Sequence, residues 1–351
     1  MLIRAITPTY NRPECMQFAY EQFIGFRRKG FDLEWVIGDQ SPETDQNLLK
    51  NIRGMSQVHY IHCPSRDVDR SQHHNKHIAT LEQFRSFPAQ RMMELLNQGD
   101  PKVLKEKDVF INRPNISEVR NLLVDFETED SRRENDLFVF HLDSDDLYMA
   151  DWPERVAGHL ASHSWGRPRL LVMFNLKNNQ WTAYEAGRYW EGRYGMEFVA
   201  DEIGAVRVKS KEQVAAFHEW VEKAEGARDY GWFGLSHCYR RSAWRAAGRA
   251  NRTRFAQKGI DCSFIGGFLF GSRAEDGAFY NTLLKTGLPM GMMDHCRFSV
   301  VRVVGIGGSI SQAQYILPKE LIPRYIVKRA ERLQDLIFSL KQKREGVESR
   351  P

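Results

Sequence analysis

The sequence lacks several features that would define special classes of protein. It has no apolar stretch long enough to cross a bilayer, and no internal repeat or low-complexity linker. Its five cysteines are scattered, with no Cys-x-x-Cys pair, which is typical of a reduced, cytoplasmic chain. Strand-like sequence follows Met1 directly, so we expect no secretory signal. The 351 residues are 42% hydrophobic, which excludes a disordered chain and a disulfide-stapled miniprotein.

The charge is unevenly distributed. The formal net charge is +5, and residues 318–351 contain nine Lys/Arg against five Asp/Glu, so the remaining chain is close to neutral. Pro318 and Pro323 precede an amphipathic, basic helix. We expect this helix to dock on the rest of the chain or to form a dimer, with attachment to a membrane surface as the second interpretation.

The first third of the chain alternates strand and helix patterns. Apolar runs at residues 2–6, 33–38 and 57–61 predict strands, and Pro13 begins a helix. This alternation predicts an α/β fold with a mostly parallel sheet and flanking helices. Ligands of such sheets bind at the carboxyl ends of the strands. Residues 62–111 interrupt the alternation and are interpreted as an insertion.

The strongest local feature is the sequence Asp143-Ser144-Asp145-Asp146, which follows a buried strand predicted for residues 137–142. Three carboxylates within four residues repel one another unless a cation joins them, and oxygen ligands favour Mg²⁺ or Mn²⁺ over zinc. Such an ion would hold the phosphates of a nucleotide and stabilise a departing diphosphate. The structural alternative is an acidic turn that caps the next helix.

Two further groups also have a functional and a structural interpretation. Glu275 and Asp276 are either a general base or acids that favour a helix N-terminus. His73 and His77 have the spacing of a two-ligand zinc site on one helical face, but no third ligand is obvious, so a solvated polar loop is the favoured interpretation.

Five motifs occur in a fixed order. They are Thr7-Pro8-Thr9-Tyr10-Asn11-Arg12, Gly38-Asp39-Gln40-Ser41, Arg120-Asn121, Asp143-Ser144-Asp145-Asp146, and Glu275-Asp276 followed by Phe279. In this order they resemble the motifs of the family 2 glycosyltransferases, which have the GT-A fold, over about residues 1–50 and 112–300. The resemblance implies a metal-dependent, inverting, hexosyltransferase-like enzyme that moves a sugar from a nucleotide-sugar, typically a UDP-sugar, to a hydroxyl group.

The resemblance also implies a role for each motif residue. It assigns donor binding to Thr7, Pro8, Tyr10, Arg12, Asp39, Arg120, Asp143 and Ser144. In this set Asp39 would hydrogen-bond the base. Asp145 would bind Mn²⁺ or Mg²⁺, with Asp143 and the late histidine His295 as further ligands. Asp276, with Glu275 beside it, would be the base that deprotonates the acceptor.

Three features depart from the family pattern. Gly38 stands where the usual turn has its first acid, which leaves the base preference of the donor open. The insertion at residues 62–111 is long. The stretch at residues 165–234 is also unusual, and it lies in the acceptor-side region, residues 165–260, where acceptor specificity is normally built. We divide the chain into a GT-A catalytic domain over residues 1–315 and a basic helical tail over residues 316–351.

The sequence does not decide which molecule accepts the sugar. Relatives of this type build polysaccharide or glycolipid precursors at the cytoplasmic membrane face, so we expect a glycan or glycolipid acceptor, peripheral membrane contact and oligomerisation through the C-terminal helix. One alternative is a hydroxylated base in DNA or another nucleic acid, favoured by the arginine-rich residues 240–254. Another is a non-catalytic protein that binds nucleotide-sugars or glycans, against which the presence of Asp143, Asp145 and Asp276 argues.

Overall fold

The computed structural model describes residues 1–27, 32–64, 116–133, 136–168, 170–185, 206–207, 238–257, 266–268, 279, 282–283, 285–293, 299–304 and 315–348. The insertion at residues 62–111 therefore lies almost entirely outside the described residues, as do most of residues 186–237.

The first half of the chain alternates strands and helices. In order these are β1 (Ile3–Thr9), α1 (Pro13–Arg27), β2 (Leu33–Asp39), α2 (Gln46–Ile52), β3 (Val58–His62), α3 (Ile116–Asp125), α4 (Glu129–Arg133), β4 (Phe138–His141), β5 (Leu147–Tyr148) and α5 (Trp152–Ser162). Helix α1 begins at Pro13 because proline needs no partner for a backbone N–H at the first helical position. Glu14 follows in the first turn, where the helix dipole favours an acid.

The second half has shorter strands. They are β6 (Trp165–Pro168), β7 (Leu170–Asn175), β8 (Gln180–Glu185), β9 (Val206–Arg207), β10 (Cys238–Arg240), β11 (Met290–Met293), β12 (Val300–Val304) and β13 (Tyr315–Leu317). Helix α6 (Arg241–Ala256) follows β10, and helix α7 (Arg324–Glu348) follows a short 3₁₀ turn at Lys319–Leu321. The basic C-terminal segment is thus helical, as predicted.

The larger sheet has seven strands in the order β3-β2-β1-β4-β10-β6-β11. All neighbouring strands in it are parallel except β10, which runs antiparallel to both β4 and β6. The prediction of an α/β fold with a mostly parallel sheet is confirmed. The chain moves outward from β1 through β2 to β3 and then returns to the other side of β1 as β4. The order therefore reverses between β1 and β4, where open α/β sheets bind ligands.

Helices cover both faces of this sheet. Phe23 of α1 and Trp152 of α5 share a core with Trp35 of β2 on one face. Val119 of α3 and Trp244 of α6 belong to the core on the other face. Two buried faces require apolar residues at consecutive strand positions, which is why β1, β2 and β4 read as apolar runs rather than as alternating patterns.

Helix α6 and strand β10 are not predicted by the sequence pattern, which at residues 238–256 is dominated by arginine. The signal is nevertheless present. Residues that face the core recur at helical spacing, at Ala243, Trp244, Ala247, Gly248 and Asn251. Because β6 and β10 belong to the main sheet, the acceptor-side region at residues 165–260 contributes to the central scaffold.

The second sheet has six strands in the order β5-β12-β7-β8-β13-β9. Its core includes Val172, Phe174 and Val301, together with Phe18 of α1 and Ile326 of α7. The described part of α7 therefore packs against α1 and this sheet. None of the described helices is long and apolar enough to cross a membrane.

Helix α5 has an aspartate at the position that commonly caps a helix N-terminus. Asp151 precedes α5, but its side chain makes no capping hydrogen bond to the backbone. Its carboxylate instead accepts a hydrogen bond of 2.6 Å from Nε of Arg155, one helical turn further on.

Candidate functional site

The candidate site lies at the carboxyl ends of β1 and β4, where the strand order reverses. The loop after β1 contains Tyr10, Asn11 and Arg12, and the loop after β4 is the acidic turn (residues 143–146). Asn11 has φ of 50°, in the left-handed region that asparagine tolerates better than most residues. Its backbone N–H donates to Oγ of Ser41 at 2.8 Å, which joins this loop to the end of β2.

An ion pair joins the first loop to the acidic turn. Nη1 of Arg12 donates a hydrogen bond to Oδ2 of Asp145. The attraction of Asp145 is the main cause that raises the pKa of Arg12 above its usual value. Both side chains remain partly exposed, 38% for Arg12 and 23% for Asp145, so an incoming ligand can reach them.

A second, more buried pair lies behind the first. Nη2 of Arg120, on α3, is 3.6 Å from Oδ2 of Asp143, and the exposed fractions of the two side chains are 1% and 10%. The guanidinium of Arg120 also lies over the ring of Phe268, 5.8 Å from its centroid. The structure thus brings together four residues that the sequence assigned to donor or metal binding, in two pairs of opposite charge.

Asn121, the residue after Arg120, makes structural hydrogen bonds. The side-chain oxygen of Asn121 accepts hydrogen bonds from the indole N–H of Trp244 and the backbone N–H of Phe268, at 2.9 and 3.0 Å. Its amide nitrogen donates to the Phe268 carbonyl at 2.8 Å. Asn121 therefore fixes the backbone at Phe268, whose ring is tilted against that of Phe279 with the centroids 4.3 Å apart.

The acidic turn is supported from inside the protein. Asp146 is buried, and its Oδ1 accepts a hydrogen bond of 2.8 Å from the backbone N–H of Val303. Burial raises the pKa of Asp146 well above the ordinary carboxyl value, and the charge of Asp145 adds to the effect. The backbone N–H of Asp143 donates to the hydroxyl of Tyr148 at 3.3 Å. Asp146 therefore belongs to the support of the turn, and Asp145 is its exposed carboxylate.

Asp39, the expected contact of the donor base, is buried at the end of β2. Its Oδ1 accepts hydrogen bonds from the backbone and the hydroxyl of Ser41, the former at 2.9 Å. Its Oδ2 accepts from the hydroxyl of Tyr60. Nothing in the sequence pattern distinguishes Tyr60 except its position as a polar residue near the carboxyl end of a predicted strand. His62 extends this group through a 2.8 Å contact between Nε2 and the Ser41 carbonyl.

The other residues of the first motif differ in exposure. Thr7 is fully buried, and its hydroxyl donates to the Leu142 carbonyl and accepts from the indole N–H of Trp35. Its contribution is to hold β1 and β4 in register below the site. Pro8 is half-buried, and Tyr10 is 40% exposed at the rim. Ser144 is buried within the acidic turn.

Close packing explains why residue 38 is a glycine. A Cβ atom at this position would lie 2.4 Å from Cγ1 of Val119 and 3.1 Å from a methyl group of Leu123. Helix α3 therefore approaches β2 too closely for a side chain at residue 38. The same close approach places Arg120, next to Val119, at the acidic turn.

Several predicted site residues lie outside the described residues. These are the candidate base pair Glu275 and Asp276, the candidate metal ligand His295, and the histidines His73 and His77.

A divalent cation fits the chemistry of the acidic turn. Among the described residues, no three His, Cys, Asp or Glu side chains form a group that could hold a metal by themselves. Mg²⁺ and similar ions, however, commonly use one or two carboxylates together with water and substrate phosphates. Asp145, exposed beside the buried Asp143, offers that partial set of oxygen ligands.

The arginines at residues 240–254 do not form one surface. The guanidinium of Arg240 donates to the carbonyls of Leu160, Ala161 and His163 at the end of α5. Arg241 is buried. The exposed members of this group are Arg245, Arg249 and Arg254.

The sequence matches no protein-family model and no curated protein. Among solved structures, the chain is similar to residues 1–349 of S. aureus TarS, at 11% identity and a TM-score of 0.39, covering 86% of this chain and 60% of that chain. The complex of the same protein with UDP-GlcNAc gives 10% identity, a TM-score of 0.42 and coverages of 88% and 60%. Its complex with UDP gives 10% identity and a TM-score of 0.40, covering 87% of this chain and 61% of that chain. The chain thus spans 60–61% of the length of these structures, and the likeness assigns neither ligand nor activity to it.

Proposed function

We propose that this protein is a GT-A-type glycosyltransferase, similar to family 2, that transfers a sugar from a nucleotide-sugar to a hydroxyl group of a glycan or glycolipid precursor. One observation carries the proposal. Arg12 and Arg120, from two separate motifs, pair with Asp145 and Asp143 of a third at the point where the strand order reverses. A site that combines exposed carboxylate and guanidinium groups suits a diphosphate with its counter-cation.

The donor would lie along the carboxyl ends of β2, β1 and β4. Tyr10, exposed at the rim, offers a ring for stacking on the base, and Asp39 offers an acceptor held in position by Ser41 and Tyr60. Arg12 and Arg120 are within reach of the diphosphate that would bind at the acidic turn. The nucleotide in this proposal is UDP, in line with the resemblance to family 2.

Asp145 would hold Mn²⁺ or Mg²⁺, with Asp143 behind it and His295 as a further candidate ligand. When bound, such a cation supplies Lewis-acid stabilisation of the charge that develops on the leaving diphosphate. The two arginines hold positive charge beside the same position, so this chain contributes its own electrostatic stabilisation to the leaving group.

The base in this proposal is Asp276, with Glu275 as its neighbour. Its carboxylate would take the proton from the acceptor hydroxyl while the hydroxyl oxygen attacks the anomeric carbon. The bond from that carbon to the diphosphate oxygen breaks on the opposite face, so the configuration inverts. The assignment follows the resemblance to family 2. The described residues on either side, Phe268 and Phe279, both pack on Tyr239, which contacts His141 at the end of β4.

A donor screen tests the proposal. The full chain is incubated with UDP-, GDP-, dTDP- and CMP-sugars, with and without Mn²⁺, alongside Asp145→Ala. We expect slow, metal-dependent hydrolysis of one donor that is lost in the variant. Donor binding without hydrolysis or transfer would favour the non-catalytic alternative, and the absence of binding to every donor would overturn the proposal.

A nucleic-acid acceptor is the second candidate, favoured by α6. This helix contains no acidic residue, and Arg245, Arg249 and Arg254 form no ion pair with the described residues. Activity on DNA that falls steeply with salt, and falls further in Arg245→Glu/Arg249→Glu, would support it. The charge-matched control is Arg324→Glu/Lys328→Glu on α7. Activity that is independent of salt and of both double variants would favour the glycan acceptor.

A further inference from the structure

We propose that Gln22 is a positioning residue for donor binding: its amide holds the backbone of the acidic turn, and Arg329 of the C-terminal helix holds the amide. The inference rests on the proposed role of the turn in donor binding. It gives α7 a function that its sequence does not suggest, because it connects this helix to the candidate site through two side chains.

The first step is the contact between Gln22 and the backbone beside the turn. Gln22 lies in α1 and is 2% exposed. Its Nε2 donates to the carbonyl of Asp146 at 3.0 Å, and its Oε1 accepts from the N–H of Tyr148 at 2.6 Å. A single buried amide thus satisfies the carbonyl of one residue and the N–H two residues later, as a neighbouring strand would.

The second step connects this amide to α7. Nη2 of Arg329 donates to Oε1 of Gln22 at 3.2 Å. The Arg329 guanidinium lies 5.7 Å from the ring centroid of Phe18, one helical turn before Gln22. Because burial lowers the pKa of Arg329, this cation is held at a cost in solvation, and the hydrogen bond to Gln22 offsets part of that cost.

The chemistry of the three contacts requires glutamine. The amide oxygen lies between two donors, Arg329 and the Tyr148 N–H, so the amide nitrogen must face the Asp146 carbonyl. A glutamate would accept from both donors but would present a second oxygen to the Asp146 carbonyl. Methionine, of similar length, would make none of the three hydrogen bonds.

The other supports of the turn come from different directions. The N–H of Asp143 donates to the Tyr148 hydroxyl, and the Asp146 carboxylate accepts from the N–H of Val303. Both join the turn to the second sheet. Gln22 holds the main chain at Asp146 and Tyr148, directly after Asp145. Its loss would therefore release the segment that carries Asp145 without removing any group that touches the donor.

Hydrogen exchange in the full chain tests the link without any ligand. We expect faster exchange of the backbone amides of residues 143–150 in Gln22→Met and in Arg329→Met. The matched control is Arg332→Met, which removes the 2.7 Å pair with Glu21 from the same face of α7. Unchanged exchange in Arg329→Met, or equal acceleration in Arg332→Met, would overturn the connection through α7.

Ligand affinity then separates positioning from plain structural support. Mn²⁺ affinity, measured from the free-ion electron paramagnetic resonance signal, and UDP affinity, measured by calorimetry, should each fall about threefold to tenfold in Gln22→Met. Gln22→Glu should lose a similar factor of UDP affinity while keeping its contact with Arg329. The Gln22→Met/Arg329→Met double variant should lose little more than Gln22→Met, because both act through one chain of contacts.

The outcomes separate this inference from the proposed function. Wild-type affinities in Gln22→Met, with the loss confined to thermal stability, would overturn the positioning role. Wild-type affinities in Asp145→Asn would overturn the proposed function whatever the Gln22 variants do. If the wild type binds neither Mn²⁺ nor UDP, the proposed function and the positioning role fail together, and the exchange data still decide whether α7 supports the turn.

Discussion

Arg12 and Asp145 form an ion pair across the crevice between β1 and β4, and each belongs to a different sequence motif. The pair unites the two loops that the strand order predicts as a ligand site. It also places an internal cation on the carboxylate that a divalent ion would use. Arg12 and such an ion would therefore compete for Asp145, whereas the two together would favour a diphosphate.

This competition predicts effects of opposite sign in Arg12→Gln. Without nucleotide, Mn²⁺ affinity should rise by up to about fivefold, which is the scale of a partly exposed ion pair. UDP affinity in the presence of Mn²⁺ should fall about tenfold, because a charge-assisted hydrogen bond to phosphate is lost. Calorimetric titrations measure both affinities. The control is Arg132→Gln, which removes an exposed arginine on α4, and a fall in Mn²⁺ affinity in Arg12→Gln would contradict the competition.

Substitutions of the two residues in the Arg120-Asn121 motif should affect different quantities, UDP affinity for the first and kcat for the second. Arg120→Lys alters the group beside Asp143 and should weaken UDP binding severalfold. Asn121→Asp loses the donor to the Phe268 carbonyl, at the start of the segment that leads to Asp276. This variant should lower kcat more than it changes UDP affinity. Steady-state kinetics with calorimetry checks the split, and equal losses of UDP affinity in both variants would contradict it.

The close approach of α3 to β2 predicts that Gly38→Ala is destabilising. The new Cβ would overlap Val119, and strain of this kind typically costs about 1–3 kcal/mol. Gly25→Ala is the matched control, because no atom lies within 4 Å of its added Cβ and alanine favours the helix by up to about 1 kcal/mol. Urea denaturation should therefore show a lower free energy of unfolding in Gly38→Ala and a higher one in Gly25→Ala. An unchanged free energy of unfolding in Gly38→Ala would show that α3 can move away.

His59 predicts a pH dependence of stability. Burial lowers its pKa in the folded state, with Glu34 opposing the shift and Arg4 adding to it. The unfolded chain therefore binds a proton more readily, and stability is lost as the pH falls from the ordinary histidine pKa through the lowered one. We expect the free energy of unfolding to fall less between pH 7.5 and pH 5 in His59→Gln than in the wild type. Identical pH profiles from urea denaturation would contradict this.

The sequence was sufficient for the main sheet, and for placing the motif residues at one edge of it, because both follow from local patterns. Apolar runs that end in Thr7, Asp39 and Asp143 predict parallel strands whose carboxyl ends share an edge. The pairing of Arg12 with Asp145 and of Arg120 with Asp143 is not readable from the sequence, since it depends on strand order and on how closely α3 approaches β2.

The supporting contacts were the hardest to predict. Gln22 lies 124 residues before Asp146 in the chain, and nothing in the local pattern of α1 distinguishes it from a solvated polar residue. Tyr60 and Tyr148 read as ordinary strand residues, although their hydroxyls contact Asp39 and the Asp143 N–H. Such residues act through tertiary contacts alone.

The most direct test of the account is calorimetric titration of UDP into the wild type, Asp145→Asn and the charge-matched surface variant Asp335→Asn, each with and without Mn²⁺. The account predicts Mn²⁺-dependent UDP binding in the wild type and Asp335→Asn, and loss of the Mn²⁺ dependence in Asp145→Asn. Equal Mn²⁺-dependent binding in all three proteins, or no UDP binding by the wild type, would contradict a UDP-donor site at the acidic turn.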